Sequence, residues 1–373
     1  MDIGVAMLGQ GFMGRAHALA IGRVATFEGL ALRPRLVAVA GRDPARLAEF
    51  AARFEVPRTV TDWRELIAGD VGVFANLGPN ALHAEPTIEA ARAGKHVLCE
   101  KPLGRDAQES LVIERGVAAT GVTAMCAFNY RFVPAVRLAR EIIASGDLGE
   151  IFHFRGRYLQ EWIIDADFPM VWRLDKDVAG SGALGDLGAH VIDLARYLVG
   201  EIDSVSAATR TFVKQREGVD VTVDDAVESI VDFSNGAVGT IEATRFASGR
   251  KNALQFEING SKGSLSFDIE RLNELEIHYT NSTPGKLSQG FRKVLVSEAD
   301  HPFWEHWWPQ GHMIGWEHTF VHEIHHFLSA IRDDADIAPH GATFEDGYRA
   351  AEICDAMLRS ADSGCRETVA YRS

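Results

Sequence analysis

The chain has 373 residues, a formal net charge of −14, 46% hydrophobic and 24% charged residues. That is the composition of an ordinary folded protein, which excludes disorder, collagen and coiled coil, and the length predicts two domains. A chain this acidic is repelled by phosphate backbones and anionic lipid, so nucleic acid and membrane are excluded as expected partners. Cys99, Cys126, Cys354 and Cys365 are far apart and form no CxxC pair. That pattern predicts buried thiols in a reducing cytoplasm. The start, Met1-Asp2-Ile3-Gly4-Val5, shows no basic stretch followed by an apolar one, so no leader is expected and the protein reads as cytoplasmic.

Residues 3–8 form an apolar run, followed by Gly9-Gln10-Gly11-Phe12-Met13-Gly14 and a helical pattern. The runs at 36–40, 72–77, 96–100 and 122–127 read as further strands, with helices interleaved. Apolar runs without alternation are covered on both faces, so 1–128 is expected to be an α/β domain on a parallel sheet. The pattern then changes. A helix at 134–145 precedes a long strand at 151–160 and a helix near 185–199. Strand-like runs follow at 205–214, 226–234, 238–246, 253–258, 264–267 and 275–279, several separated by turns such as Ser234-Asn235-Gly236 and Asn259-Gly260-Ser261. Helices return near 317–331 and 345–361. Residues 129–373 are therefore expected to form an α+β domain with a large, mostly antiparallel open sheet, whose last helix can pack back on the first domain.

Three constellations carry chemistry. Gly9-x-Gly11-x-x-Gly14 follows the first strand and opens the first helix. Its glycines suit a tight turn, close approach of a pyrophosphate, and close helix packing, with free N–H groups at the helix start for phosphate. The end of the second strand normally selects the cofactor. Here it reads Gly41-Arg42-Asp43, with the acid two residues late and Arg42 between, which leaves NAD and NADP both open. Glu100-Lys101-Pro102 ends the fourth strand, where an open parallel sheet places its ligands, so Lys101 is directed at the cofactor crevice. A plain surface lysine is the alternative. In the helix 185–199, Asp186, His190, Asp193 and Tyr197 share a stripe beside apolar Leu187, Val191, Leu194 and Leu198. Asp186 and His190 are neighbours at i, i+4, and a carboxylate beside an imidazole suits a general base. A helix cap plus a satisfied histidine is the alternative.

Taken in order, the glycine loop, Glu100-Lys101-Pro102 and Asp186-Leu187-Gly188-Ala189-His190 resemble the glucose–fructose oxidoreductase / inositol dehydrogenase (Gfo/Idh/MocA) family over essentially the whole chain. Gly78-Pro79-Asn80 with His83, Asn129-Tyr130-Arg131 and Trp172-Arg173 match as well. The resemblance implies a Rossmann domain over 1–128 and a substrate and oligomerisation domain over 129–373, associated as a homodimer or homotetramer through the large sheet. It implies an NAD(P)-dependent oxidoreductase acting on the CH–OH group of a cyclic sugar or polyol, with no metal. On the same ground His190 is the base, Lys101 steadies the developing alkoxide, and Asp186 positions His190 or a neighbouring hydroxyl. The cofactor side is implied to comprise Gly9, Gly11, Phe12, Met13, Gly14, Gly41, Arg42, Asn76, Leu77, Asn80, His83, Glu100, Lys101, Asn129, Trp172 and Arg173. The substrate side is implied to comprise Lys101, Tyr130, Arg131, Trp162, Asp186, His190 and His312.

Trp307-Trp308-Pro309-Gln310-Gly311-His312, followed by Gly315-Trp316-Glu317-His318, resembles the branch of that family containing levoglucosan dehydrogenase and glycoside 3-dehydrogenases. That branch implies NAD and oxidation of an anhydrosugar or glycoside at C3 to a 3-keto sugar. An inositol or aldose dehydrogenase is the alternative within the family. Trp304, Trp307, Trp308 and Trp316 suit either a wall for a sugar ring or a packing contact. His322-Glu323-Ile324-His325-His326 is literally HExxH. Phe320, Ile324, Phe327 and Ile331 should form its buried stripe, leaving His318, His322 and His326 on a solvated or interfacial face. Arg332 stands where a third histidine ligand would be, so no metal is expected. A non-catalytic dinucleotide sensor on the same fold would have lost Lys101, Asp186 or His190, and all three are present.

Overall fold

The computed structural model describes residues 1–27, 30–281 and 286–372. The chain divides into two units, Met1–Phe132 with Gly315–Tyr348, and Val133–Ile314 with Arg349–Ser373.

The first unit contains β1 (Asp2–Leu8), α1 (Phe12–Val24), β2 (Arg33–Ala40), α2 (Pro44–Phe54), β3 (Arg58–Val60), α3 (Arg64–Ile67), β4 (Val73–Asn76), α4 (Ala84–Arg92), β5 (His96–Glu100), α5 (Ala107–Ala118), β6 (Ala124–Ala127) and α9 (His318–Asp333). Its six strands lie in the order β3-β2-β1-β4-β5-β6, all parallel. Val5, Ala6, Met7, Leu8 and all four residues of β4 are buried, as strands covered on both faces require. Strand order reverses between β1 and β4. The loops leaving these two strands therefore open a crevice at their carboxyl ends, the place where such sheets bind ligands.

Two parts of this unit lie differently from the sequence pattern. Residues 129–132 and 315–348, expected in the second domain, cluster with the first unit, where the Cys126 N–H of β6 donates to the Ala342 carbonyl at 2.9 Å. Phe320 of α9 meets the His17 ring of α1 at 5.1 Å, and Arg131 donates to the Gly341 carbonyl at 3.2 Å. The second is the face of α9 expected to be solvated or interfacial. His322 and Glu323 are fully buried, because α9 lies against α1 on one side and against Asn129–Phe132 on the other. His322 Nδ1 meets the Phe132 carbonyl at 2.9 Å and His326 Nε2 the Ile337 carbonyl at 2.9 Å.

The second unit contains α6 (Pro134–Ala144), β7 (Ile151–Leu159), α7 (Lys176–Ala179), α8 (Ala189–Leu198), β8 (Ile202–Arg210), the small hairpin β9 (Gln215–Arg216) and β10 (Val219–Asp220), then β11 (Ala226–Phe233), β12 (Val238–Thr244), β13 (Ala253–Gly260), β14 (Gly263–Asp268), β15 (Glu274–Tyr279) and β16 (Arg292–Leu295). Most of α10 (Phe344–Ser363) and β17 (Glu367–Thr368) complete it. Nine strands form one sheet in the order β16-β15-β14-β13-β7-β12-β11-β8-β17, antiparallel except for the parallel pair β7–β12. Alternation along β11 turns Val227, Ser229, Val231 and Phe233 to the covered face and Glu228 and Ile230 outward. On the covered face α8 lies against β7 at Gly156, where a Cβ would stand 2.4 Å from Val191 Cγ1. The expected polar stripe of α8 is buried too. Every residue of this helix is buried, and Arg140 of α6 covers the Tyr197 ring at 5.5 Å.

Candidate active site

The glycine loop of the first unit shows what each glycine does. Gly9 has φ +119°, and a Cβ there would stand 2.5 Å from the Leu77 carbonyl oxygen. A Cβ on Gly14 would stand 2.3 Å from the Gly9 carbonyl oxygen. Both are required by the protein's own packing. Gly11 differs, since a Cβ there would meet nothing within 4 Å. Its lack of a side chain keeps open space at the start of α1, where no side chain caps the helix and its first turn carries no acid. Free N–H groups beside open space fit a phosphate-bearing ligand, so the loop fits a dinucleotide. Phe12 is largely exposed and Met13 half-buried.

At the end of β2, Gly41 lies under the Gln10 side chain and Arg42 is exposed. The displaced acid is already engaged. Asp43 Oδ1 caps α2 by accepting from the N–H groups of Ala45 at 3.0 Å and Arg46 at 3.2 Å. Arg42 is thus the exposed side chain left at the end of β2.

The loop after β4 is braced by two buried side chains. Asn76 donates to the Leu82 carbonyl at 2.9 Å and to Thr87 Oγ1 at 3.0 Å, and accepts from the Gly78 N–H at 3.3 Å. Its amide braces the turn. His83 has Nδ1 2.9 Å from the Pro102 carbonyl and Nε2 3.1 Å from the Gly78 carbonyl. Carbonyls only accept, so both ring nitrogens carry protons. Burial opposes that charge, but Cys99 and the two carbonyls favour it, and the pKa is raised to about 9. His83 therefore ties the loop after β4 to the loop after β5. Leu77 and Asn80 are buried in the same turn.

Glu100 is buried at the end of β5 and lies 2.8 Å from His17 Nε2. Its other oxygen accepts from the Lys101 N–H at 3.2 Å, and Lys101 is half-buried. Asn129 donates to Thr319 Oγ1 at 2.9 Å, and the Tyr130 hydroxyl accepts from Trp316 Nε1 at 3.3 Å. Trp316 stacks on Phe12, with centroids 5.5 Å apart and planes 11° from parallel. The segment before α9 thus supports the glycine loop, which no local pattern announced. Arg131 is buried and also meets Asp346 Oδ2 at 3.3 Å. Its fork clamps residues 341–346.

In the second unit Asp186 sits in a wide turn, residues 184–188, that leads into α8. Two side chains that sequence reasoning missed hold this turn. Asp224 accepts from the N–H groups of Gly182 and Leu184, each at 2.7 Å. Arg245, fully buried, approaches Asp186 Oδ2 at 3.9 Å and lies 5.6 Å over the Trp162 ring. Arg173 approaches the same oxygen at 4.0 Å and stacks on Trp172 at 4.3 Å. Asp186, Arg173, Trp172 and Trp162 are therefore brought together. The loop carrying both tryptophans is ordered by buried Arg216, which donates to the carbonyls of Ile163 at 2.5 Å and Asp165 at 2.6 Å. His190 follows on α8, its ring 5.9 Å from Tyr158. The Tyr158 hydroxyl donates to Asn252 at 2.6 Å, and Gln160 donates to Asn252 at 2.8 Å. Tyr158 lies 32 residues from His190, and Asp224 and Arg245 lie 38 and 59 residues from Asp186, so only long-range pairing could have revealed them.

The tryptophan-rich segment divides. Trp304, Trp307, Trp308 and His312 belong to the second unit and Trp316 to the first. Trp304 is buried and donates to the Trp308 carbonyl at 2.9 Å, which is a packing role. His312 is exposed and its Nδ1 meets the Pro309 carbonyl at 2.8 Å within a local turn. Among the described residues no group of three His, Cys, Asp or Glu side chains is placed to hold a metal, and no helix is long and apolar enough to cross a membrane.

Known proteins resemble this chain along its whole length. Residues 3–128 match the oxidoreductase family with an NAD-binding Rossmann fold, and residues 136–266 match the GFO/IDH/MocA C-terminal domain. Levoglucosan dehydrogenase of Pseudarthrobacter phenanthrenivorans is 42% identical, covering 96% of each chain. Inositol 2-dehydrogenase of Rhizobium meliloti is 28% identical, covering 96% of this chain and 97% of that one. A solved levoglucosan dehydrogenase in complex with NADH and levoglucosan superposes with a TM-score of 0.95 at 42% identity, over 99% of this chain and all of that one. The chain belongs to the Gfo/Idh/MocA family of oxidoreductases, with an NAD-binding Rossmann domain.

Proposed function

We propose that this protein is a cytoplasmic NAD-dependent dehydrogenase that oxidises a secondary hydroxyl of a cyclic sugar or anhydrosugar, levoglucosan or a close analogue, at C3 to give a 3-keto sugar. The observation that carries the reading is full-length likeness, at 42% identity, to an enzyme solved with NADH and levoglucosan. Bound NAD supplies the acceptor for the hydride that leaves the substrate carbon. The open space at Gly11 and the free start of α1 receive its pyrophosphate. His190 takes the hydroxyl proton as the C–H bond breaks and the C=O bond forms. Lys101 places its ammonium at the oxygen where negative charge develops. Asp186, paired with Arg173 and Arg245, orients rather than accepts, and Trp162 and Trp172 offer faces to the sugar ring. The test is nicotinamide reduction, followed by absorbance, with levoglucosan, glycosides, aldoses and inositols at mildly alkaline pH. A 3-keto product from levoglucosan is expected, and turnover of inositols alone would replace this reading with the cyclitol one.

Cofactor choice follows from Arg42. With Asp43 committed to its cap, no acid excludes a 2′-phosphate. NADP should therefore be accepted, more weakly than NAD. Arg42→Ala is expected to weaken NADP about tenfold while changing NAD by less than about threefold, as titrated by quenching of protein fluorescence. Equal losses for both would assign Arg42 to the adenine face.

We also propose that copies associate through the outer face of the nine-stranded sheet. Ile230 is 60% exposed and Val238 47% exposed on that face. Ile230→Glu is expected to convert the assembly to monomers in light scattering. An unchanged mass would place the contact elsewhere.

A further inference from the structure

Among the described residues the HExxH sequence on α9 belongs to no group of three side chains placed to hold a metal, yet its glutamate is unusual. Glu323 is fully buried, and neither carboxyl oxygen has a hydrogen-bond partner among the described residues. A carboxylate left unpaired in such surroundings costs several kcal/mol, so the group takes up a proton instead. Burial, and then the charge of Glu100, push its pKa well above the ordinary carboxyl range. Glu100 is itself buried, bonded to His17 Nε2 at 2.8 Å and to the Lys101 N–H at 3.2 Å. His17 is fully buried and packs on Phe320, one turn before Glu323, and its Nδ1 has no hydrogen-bond partner among the described residues. α1, β5 and α9 thus each bring one titratable side chain to the same buried region. Lys101 follows Glu100 on the β5 side. On α9 itself, His322 and His326 are turned to the Phe132 and Ile337 carbonyls. A second acid beside Glu100 in one dry site favours the neutral form of Glu323.

We propose that Glu323 completes the buried cluster formed by His17 and Glu100 and helps hold the carboxyl end of β5, making Glu323 a positioning residue for Lys101. The proposal rests on the reading that Lys101 acts on the substrate. Full-length wild type, Glu323→Gln and Glu323→Leu test it. The infrared difference between wild type and Glu323→Gln at pH 7 should show a protonated carboxyl band lost in the variant. Hydrogen exchange of residues 96–103 should rise about tenfold in Glu323→Leu and return to the wild-type rate in Glu323→Gln. With a sugar substrate, the leucine variant should lose about tenfold in kcat at unchanged KM for sugar and NAD, and the glutamine variant should recover it to within about threefold. Carboxylate bands in place of the protonated one would overturn the proposal. So would wild-type exchange in both variants, or equal kcat losses in both. Should Glu323→Leu fail to fold, the infrared comparison still decides the protonation. Failure of every sugar to turn over would defeat the dehydrogenase reading while the infrared and exchange results continue to judge this one.

Discussion

Replacing His190 with asparagine is expected to lower kcat for sugar oxidation by about 10²–10⁴-fold, the usual yield of a positioned general base. Asparagine keeps a polar side chain of similar reach, so the seat of α8 on Gly156 of β7 is preserved and folding is unaffected. It cannot accept a proton, so the rate should fall at every pH at which the wild type turns over. NADH affinity should stay within about threefold, because His190 is proposed to touch substrate and not cofactor. Lys101→Met removes the other charge proposed at the reacting oxygen and should cost about 10²–10³-fold, again with cofactor binding retained. Stopped assays with NADH titrations on the same samples separate the two quantities. A His190→Asn enzyme with more than a tenth of wild-type kcat would remove His190 from the base role and turn attention to a water held by Tyr158 or Gln160.

The parts of the site that were legible in the sequence are local. The glycine loop, Glu100-Lys101-Pro102 and the Asp186-to-His190 spacing each lie within a few residues, where turn geometry and helical period speak directly. The parallel-then-antiparallel change of pattern was legible for the same reason, because strand alternation is a local signal. What could not be read is long-range. Asp224 fixes the turn bearing Asp186 from across 38 residues, and Arg245 pairs with Asp186 from across 59. Nothing near either residue marks it as a partner of that turn.

The same limit explains the helix 318–333. Its period shows one apolar stripe, which leaves the opposite face either in water or at an interface and names no partner for it. The structure covers that face as well, with residues nearly two hundred positions upstream, so His322 and Glu323 became interior groups. Asn76 and Arg131 show the converse case. Both look like ligand contacts from motif position, and both also hold backbone and side-chain partners within the first unit. A polar residue at a loop that serves a site has two ways to matter, by touching the ligand or by shaping the loop. Only the hydrogen-bond inventory separates them.

His83 gives the largest expected effect on stability. The imidazole carries both protons in the folded state because each nitrogen faces a carbonyl, with a pKa of about 9 against 6.5 when unfolded. A folded pKa above the unfolded one means that the folded state binds the proton more tightly. The stabilisation is therefore complete below about pH 6.5 and is lost as pH rises through about 9. The shift corresponds to about 3 kcal/mol across that window. His83→Gln donates to the carbonyls through one nitrogen only and does not titrate. The gap in urea midpoint between wild type and this variant should thus be wide at pH 6.5 and nearly closed at pH 9.5. Each protein is compared with the other at the same pH, so titration of remaining groups cancels. A gap that stays constant over the range would mean that His83 is neutral in the fold and that one of its two carbonyl contacts is not a hydrogen bond. The loops after β4 and β5, which carry Asn80 and Lys101, would then be tied by packing alone.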